Sequence, residues 1–197
     1  MKKQYNFSWV IDMLEFKNIY KSFEKLVVDN VCFRLNAGER LAIVGESGAG
    51  KTTVFNIILG ITQADAGELI NDFEKISTVF QENRLIEEIS ALHNIKMVTD
   101  KPDEEMKEML RELKVDNFYE PVKYLSGGMK RRVAIARALM YEADLYLLDE
   151  PIQGLDDEIR KTVIGKILEI TEGKSLLLIS HSKEDVHDFQ ISAQLIL

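Results

Sequence analysis

The stretch from Gly45 to Thr53 contains the residue types that bind phosphate. Its sequence, Gly-Glu-Ser-Gly-Ala-Gly-Lys-Thr-Thr, matches the P-loop pattern G-x-x-x-x-G-K-[ST]. Phosphate oxygens need several backbone N–H groups that point into one concavity, and glycines such as Gly48 and Gly50 leave room for that approach. Lys51 supplies a full positive charge, and the Thr52 hydroxyl is a suitable ligand for Mg²⁺. This spacing predicts a nucleotide-binding loop, and a glycine-rich turn that binds nothing is the alternative.

A second set of candidate residues follows the apolar run Leu145–Leu148. Asp149 ends this predicted strand, and ligands collect at the carboxyl ends of strands in open α/β sheets. We expect Asp149 to hold Mg²⁺ through water and Glu150 to act as a general base on an attacking water molecule. An acidic junction between strand and loop, without a chemical role, is the alternative.

The elements that must position these residues are strands that alternate with helices after residue 40. Apolar strands are predicted over 40–44, 67–70, 75–80, 144–148, 175–179 and 191–197, and helices over 51–60, 129–140, 156–171 and 183–189. Two earlier strands are predicted over 14–19 and 26–35, the second with a bend near Asp29 and Asn30. The alternation favours a mostly parallel sheet with helices on both faces.

The segment between residues 87 and 140 has a helical pattern. One stripe of apolar side chains falls on a single helical face, and its members are Met106, Met109, Leu110 and Leu113. Packing is the commoner use of such a stripe, and a methionine-lined binding groove is the alternative. The basic cluster Lys130–Arg132 by itself indicates a solvated helix start.

Composition limits the class of protein. The 197 residues suffice for one substantial core, and the 46% hydrophobic and 29% charged residues are typical of a globular domain. The net charge of −8 argues against a nucleic-acid partner. Because Cys32 is the single cysteine, a disulfide within the chain is excluded, which favours a reducing cytosolic compartment. We expect Cys32 to be a small buried hydrophobic residue. No apolar run approaches the roughly 18 residues of a membrane-spanning helix, and no signal peptide is predicted.

The segment Leu125-Ser126-Gly127-Gly128-Met129-Lys130 adds a second glycine-rich helix start that can meet a phosphate. Two such helix starts in one chain indicate either two ligands or one ligand shared between two copies. This segment is similar to the signature L-S-G-G-[QM] of the ABC family. Over residues 14–197 the chain resembles the ATP-binding subunits of ABC transporters.

The resemblance implies a role for each matching residue. Phe23 corresponds to the aromatic residue that stacks on adenine, and its alternative is an edge-strand aromatic. Gln81 corresponds to the Q-loop glutamine, Asp156 to the D-loop aspartate, and His181 to the switch histidine that contacts the γ-phosphate. The D-loop of the family more usually has Ser-Ala where this chain has Gln153-Gly154. The expected nucleotide contacts are Phe23, Gly45, Ser47, Gly48, Ala49, Gly50, Lys51, Thr52 and Thr53. The expected catalytic residues are Lys51, Gln81, Glu150 and His181. The expected Mg²⁺ ligands are Thr52, Gln81 and, through water, Asp149. A second copy of the chain is expected to supply Ser126, Gly127 and Gly128.

The resemblance also implies the organisation of the molecule. The fold class is α/β, with a P-loop NTPase core that has a mostly parallel sheet, an N-terminal antiparallel β portion and a small helical subdomain carrying the signature. Residues 1–12 are expected to form an extension and 13–197 a single ABC ATPase domain, with its core in 14–80 and 141–197 and its helical subdomain in 81–140. ATP and Mg²⁺ are the expected cofactors.

The expected partners are a second ATP-binding subunit packed head to tail, transmembrane permease subunits and a separate solute-binding protein. Such a subunit is cytoplasmic and peripheral on the inner face of the cell membrane, and it has no nucleic-acid partner.

Two segments, Val79–Leu85 and Leu125–Val133, look most like the nitrate/sulfonate/taurine importer group. The stretch between Gln81 and Ser126 is short for the family, which predicts a trimmed helical subdomain. Two other functions remain open: a soluble ABC ATPase of an assembly system, such as iron–sulfur cluster assembly, and a switch that binds ATP without useful turnover. The retained Glu150 and His181 argue against the switch.

Overall fold

The structure is a computed structural model that describes residues 12–197. Its strands are β1 (Met13–Ser22), β2 (Leu26–Asn36), β3 (Arg40–Val44), β4 (Ala66–Asn71), β5 (Ile76–Val79), β6 (Leu145–Asp149), β7 (Ser175–Ser180) and β8 (Ala193–Ile196). Its helices are α1 (Lys51–Ile58), α2 (Ala91–Lys96), α3 (Asp103–Glu112), α4 (Gly127–Met140), α5 (Asp157–Ile170) and α6 (Lys183–Asp188). The proposed extension lies outside the described residues except for Asp12, whose carbonyl oxygen accepts a hydrogen bond from the Ala37 N–H at 2.8 Å.

Five strands form a parallel sheet in the order β5-β6-β7-β3-β8. The central strands β6, β7 and β3 are mostly apolar between their end residues because both faces of the sheet are covered. In β3, Leu41 and Ile43 pack on one face with α1 and the antiparallel sheet, while Ala42 and Val44 pack on the other face with α4. The predicted α/β fold with a mostly parallel sheet is confirmed.

The early strands form a separate antiparallel sheet in the order β2-β1-β4. The predicted bend in β2 is present, because Asn30 has a left-handed φ of 50°. The prediction that Cys32 is buried is wrong, since Cys32 is exposed. Side chains alternate along a strand, and Val31 and Leu35 point to the core, so Cys32 faces the opposite side.

The helical pattern predicted for 87–140 consists of α2, α3 and α4 and a short 3₁₀ helix at Val122–Tyr124, with turns between them. The apolar stripe Met106, Met109, Leu110 and Leu113 is buried in one core with these helices, so it serves packing. Within residues 12–197, no helix is both long and apolar enough to cross a membrane.

The parallel sheet determines where the site lies. Parallel strands end at the same edge of a sheet, so β3, β6 and β7 deliver the residues that follow them to one place. Those residues are the loop after Val44, the pair Asp149 and Glu150, and His181.

Candidate functional site

One cleft of about 310 Å³ at this edge collects ten of the predicted site residues. It is lined by Phe23, Val27, Ser47, Gly48, Gly50, Lys51, Thr52, Thr53, Gln81, Asp149 and Glu150. The predicted residues that do not line it are Gly45, Ala49, Ser126, Gly127, Gly128, Asp156 and His181. The cleft thus brings the P-loop, the Q-loop glutamine and the acidic end of β6 together within one chain.

The P-loop glycines allow neighbouring backbones to approach closely. Gly50 precedes α1 with a left-handed φ of 97°, and a Cβ atom there would lie 2.6 Å from the carbonyl oxygen of Val27. A Cβ atom on Gly45 would lie 2.8 Å from the carbonyl oxygen of Leu197. Both distances are too short for any side chain. These glycines therefore pack the loop between β2 and the end of β8, in addition to leaving room for phosphate.

Lys51 is the first residue of α1, and the loop itself holds its ammonium group. Its Nζ atom donates hydrogen bonds to the carbonyl oxygens of Gly45 at 2.7 Å and Glu46 at 2.9 Å. The residue is only 7% exposed, although it lines the cleft. The positive charge is therefore already fixed at the mouth of the phosphate-binding loop.

Asp149 is the last residue of β6 and is 4% exposed. The pKa of its carboxyl group is raised to about 6, chiefly by burial and also by the neighbouring Glu150 carboxylate, while the charges of Arg131 and Lys51 oppose the rise. A bound cation would favour the charged form. Asp149, Thr52 and Gln81 line the same cleft, and their side chains carry carboxylate, hydroxyl and amide oxygen atoms, which are the ligands that Mg²⁺ prefers.

Glu150 follows the strand in a left-handed backbone conformation, with φ of 46°. Its N–H donates to the carbonyl oxygen of Ile179 at 2.9 Å, which joins the end of β6 to β7. Its Oε1 atom lies 3.2 Å from Nδ1 of His181, whose side chain is 57% exposed. His181 therefore contacts Glu150 at the edge of the cleft without lining it.

Phe23 lies in the turn between β1 and β2 and is 63% exposed at the rim of the cleft. Its ring centroid is 5.4 Å from Nζ of Lys21. An exposed aromatic ring beside a nucleotide-sized cleft has a free face on which a base can stack.

The signature and D-loop residues begin helices instead of lining the cleft. The Ser126 hydroxyl accepts a hydrogen bond from the Met129 N–H at 3.2 Å and caps α4, with Gly127 and Gly128 in the first turn. The Asp156 carboxylate accepts from the Ile159 N–H at 3.0 Å and caps α5. Both caps satisfy N–H groups that have no partner within the helix.

Arg131 of α4 is a structural residue of the site that the sequence interpretation missed. The prediction of a solvated basic cluster is wrong at this position, because Arg131 is 5% exposed and burial lowers the pKa of its guanidinium to about 10. Its hydrogen-bond acceptors are Asn83 Oδ1 and the carbonyl oxygens of Phe80, Gln81, Asp149, Glu150 and Pro151. The guanidinium thus joins the Q-loop to the acidic end of β6. The available signal was helical spacing, since Ile135 and Ala138 follow at i+4 and i+7 and are buried.

A parallel α/β sheet, a glycine-rich loop that leads into α1, and a buried acidic strand end define a P-loop nucleotide-binding domain. The family profile described as "ABC transporter" matches residues 28–153. The chain belongs to the ABC transporter family.

Curated relatives agree with this assignment. The spermidine/putrescine import ATP-binding protein PotA of Pasteurella multocida is 32% identical over 194 residues, which cover 88% of this chain and 52% of the relative. The thiamine import ATP-binding protein ThiQ of Haemophilus influenzae is 34% identical over 178 residues, which cover 79% of this chain and 83% of the relative. The chain thus spans about half the length of the first relative. Neither relative belongs by name to the nitrate/sulfonate/taurine group.

Solved structures share the fold. A bacterial Atm1-family ABC exporter with ATP bound superimposes with a TM-score of 0.85 at 22% identity, over 95% of this chain and 37% of that chain. A putative ABC transporter ATP-binding protein from Pyrococcus furiosus superimposes with a TM-score of 0.81 at 24% identity, over 94% and 97% of the two chains.

Proposed function

We propose that this chain is an ATPase subunit that drives solute import through partner membrane subunits. The observation that carries the proposal is the contact between Glu150 and His181 beside the cleft that holds Lys51. A domain that only bound ATP would not need a carboxylate and an imidazole placed together at the phosphate end of the cleft. The import function of the named relatives supports the direction of transport.

In this proposal the P-loop holds ATP by its phosphates, with Lys51 between the β- and γ-phosphates and Phe23 stacked on the adenine. The remaining loop contacts come from Gly45, Ser47, Gly48, Ala49, Gly50, Thr52 and Thr53. Thr52, Gln81 and, through water, Asp149 would hold Mg²⁺, which when bound neutralises negative charge on the phosphate oxygens. The donor set in the cleft suits this ion.

Glu150 accepts a proton from the attacking water, whose oxygen forms a bond to the γ-phosphorus as the bond to ADP breaks. The contact of His181 Nδ1 with Glu150 leaves Nε2 free for the γ-phosphate or the water. Arg131 holds the backbone carbonyl groups of Asp149 and Glu150 and so limits movement of both carboxylates.

The proposal includes a second copy of the chain. Ser126, Gly127 and Gly128 do not line the cleft of their own chain, and they form an exposed or half-exposed helix start. Such a helix start can meet the γ-phosphate of ATP held by a second copy in a head-to-tail homodimer. Asp156 lies near this surface, because a Cβ atom on Gly128 would be 3.8 Å from the side chain of Leu155.

The membrane partners would be permease subunits, with a separate solute-binding protein, and the subunit would act at the cytoplasmic face of the membrane without a nucleic-acid partner. The segment from Gln81 to Ile86 is the proposed contact, because it is mostly exposed yet held to α4 by Arg131 and Arg137. The solute is chosen by those partners. Transport of nitrate, sulfonate or taurine is the finer hypothesis from the motifs, and the named relatives add polyamines and thiamine as alternatives.

The chemistry is tested by steady-state hydrolysis with Glu150→Gln. We expect kcat to fall at least about 100-fold, because the general base is lost, while the affinity for ATP changes little. Glu172→Gln, an exposed carboxylate before β7, is the matched control and should keep the wild-type rate. Undiminished turnover in Glu150→Gln would overturn the assignment of the base.

The transport role is tested by co-purification of the tagged chain from mildly solubilised membranes of its native cell. Recovery of a polytopic membrane protein supports the importer, and an accompanying solute-binding protein narrows the solute. Recovery of a soluble assembly complex with no membrane partner would refute the transporter and favour the iron–sulfur assembly alternative.

A further inference from the structure

A chain of hydrogen bonds connects the residue before His181 to α5. Ser180 ends β7, is fully buried, and donates its hydroxyl hydrogen to Oδ2 of Asp185 in α6. The other carboxylate oxygen, Oδ1 of Asp185, accepts from Nη2 of Arg160 at 2.9 Å. Asp185 is itself buried, and these two partners provide a hydrogen bond to each of its carboxylate oxygen atoms.

The direction of the Ser180 hydroxyl matters for His181. A hydroxyl has one hydrogen to donate, and the direction of that hydrogen decides where the lone pairs point. Because Asp185 takes the hydrogen, a lone pair is left for the Ser182 N–H, which donates to Ser180 Oγ at 2.9 Å. This bond closes a short loop around His181 and fixes its backbone on both sides, while Nδ1 of its ring contacts Glu150.

Arg160 holds Asp185 from the first turns of α5. Its backbone N–H donates to the carbonyl oxygen of Asp156 at 2.8 Å, so its position follows the start of that helix. Its Nη2 atom also contacts Oδ2 of Asp188 at 2.7 Å. Asp188 is more exposed than Asp185 and accepts from Arg160 without touching Ser180, which makes it a natural comparison.

We propose that Asp185, held by Arg160, is a positioning residue that places His181 beside Glu150. The inference rests on the proposed function, since it assigns His181 and Glu150 to hydrolysis. It adds that the place of His181 depends on α5, which begins directly after the loop Gln153–Asp156. A movement of that loop on contact with a second copy would therefore reach His181 through Arg160 and Asp185.

If the ion pair between Arg160 and Asp185 only joined α5 to α6, its loss would not change kcat selectively. Steady-state kinetics of ATP hydrolysis therefore distinguish a structural role from a positioning role. We expect Asp185→Asn to lower kcat for ATP hydrolysis about tenfold while KM for ATP changes less than about twofold. The matched control Asp188→Asn, which leaves Ser180 untouched, should stay within about twofold of the wild-type kcat. Arg160→Gln removes the contact between Arg160 and Asp185 by changing the other partner, and it should lower kcat as Asp185→Asn does. The test can therefore still be made if one of the two variants folds poorly.

A double-mutant cycle with His181→Ala tests whether Asp185 acts through His181. In that background Asp185→Asn should change the remaining kcat by less than about twofold, because the group that it positions is already gone. An equal loss of kcat in both backgrounds would overturn the positioning role. So would equal effects of Asp185→Asn and Asp188→Asn.

A spectroscopic test needs no activity. The protein has three histidines, so the ring ¹H–¹³C resonances of His181, His93 and His187 can be assigned separately. We expect Asp185→Asn and Arg160→Gln to move the His181 resonance, with His93 unchanged as an internal reference. Asp188→Asn should leave the His181 resonance in place. An unmoved His181 resonance in Asp185→Asn refutes the inference even if the chain hydrolyses ATP, and absent hydrolysis with a moved resonance refutes the proposed function alone.

Discussion

Among single residues, Asp149 has surroundings that are unfavourable for an ionised carboxyl group. Its carboxyl group is buried at the end of β6, next to a second carboxylate, and its pKa is raised from 3.8 to about 6. A raised pKa means that the folded chain binds a proton more tightly than the unfolded chain does. The ionised carboxylate of Asp149 therefore destabilises the folded state at neutral pH, as expected for a carboxylate that would bind a cation.

The raised pKa of Asp149 predicts that the stability of the fold depends on pH. The contribution of protonated Asp149 is fully present below pH 3.8 and is lost as the pH rises through about 6. Without nucleotide, Asp149→Asn should therefore unfold with a free energy that exceeds the wild-type value by up to about 3 kcal/mol above pH 6, and by little near pH 4. Urea unfolding between pH 4 and 8 measures the difference.

Asp144→Asn is the control for this series, because Asp144 precedes the opposite end of β6 and its side chain is 45% exposed. Its curve should run parallel to that of the wild type. If the Asp149→Asn and wild-type curves also run parallel, the buried carboxyl group does not titrate as described.

Gly50 allows a second prediction for a single residue. Gly50→Ala should lower the free energy of unfolding by at least about 1–2 kcal/mol, because φ is positive and the new Cβ atom would meet the carbonyl oxygen of Val27. Gly48→Ala shares the positive φ, but its Cβ atom meets no atom of residues 12–197 within 4 Å, so this variant measures the cost of the backbone conformation alone. Equal losses in the two variants, measured by urea unfolding, would argue that the contact with Val27 is unimportant.

Among the elements, α4 and α5 start with residues that the family motifs had already singled out. Ser126 caps α4 and Asp156 caps α5, so each has a local folding role that is separate from its proposed contact with a second copy. A loss of activity on substitution of either residue therefore has two explanations. A replacement side chain that can still cap the helix separates loss of the cap from loss of the contact with a second copy.

Asp156 can be tested with a pair of variants. Asp156→Ala should destabilise the chain by about 1 kcal/mol because the cap of α5 is lost, whereas Asp156→Ser keeps a capping oxygen and should be nearly neutral. Thermal or urea unfolding measures this difference. If the carboxylate itself is needed between two copies, both variants should lose ATPase activity alike; full activity in Asp156→Ser would reduce its role to capping.

For the whole molecule, the two glycine-rich helix starts, at Gly50–Thr52 and Ser126–Gly128, are separate within one chain. Lys51 lies in the cleft and Gly127 lies outside it. In the described part of the chain, no atom lies within 4 Å of a Cβ atom placed on Gly127. Gly127→Asp is therefore expected to fold, and an acidic residue in the first turn of α4 suits the helix dipole. Its carboxylate would nevertheless repel a phosphate delivered by a second copy.

Mixing two inactive variants tests this arrangement. Lys51→Ala and Gly127→Asp should each lack ATPase activity, whereas a one-to-one mixture should recover about a quarter of the wild-type rate, because half of the dimers contain one intact site of two. The measurement is phosphate release after mixing. No recovery in a mixture that forms dimers, or full activity of Gly127→Asp alone, would contradict a site shared between copies.

The sequence by itself determined the elements whose signals are local. The loop from Gly45 to Thr53, the apolar strands β3, β6 and β7, and the glycine-rich helix start at Ser126–Gly128 depend on neighbouring residues and on fixed spacing. Strands and helix starts of this kind are specified over a few residues, and parallel strands must end at one edge. The place of Asp149 and Glu150 beside the P-loop therefore followed from the order of the elements.

Only the tertiary structure decided which polar side chains are buried and what they join. Arg131 reaches acceptors that are 18 to 51 positions away in the chain, and Asp185 receives Arg160 from another helix. Cys32 is exposed although its segment is apolar, because the tertiary structure buries the face of β2 that carries Val31 and Leu35 and leaves the other face open. Such contacts depend on segments that meet only after folding, and no local spacing in the sequence encodes their meeting.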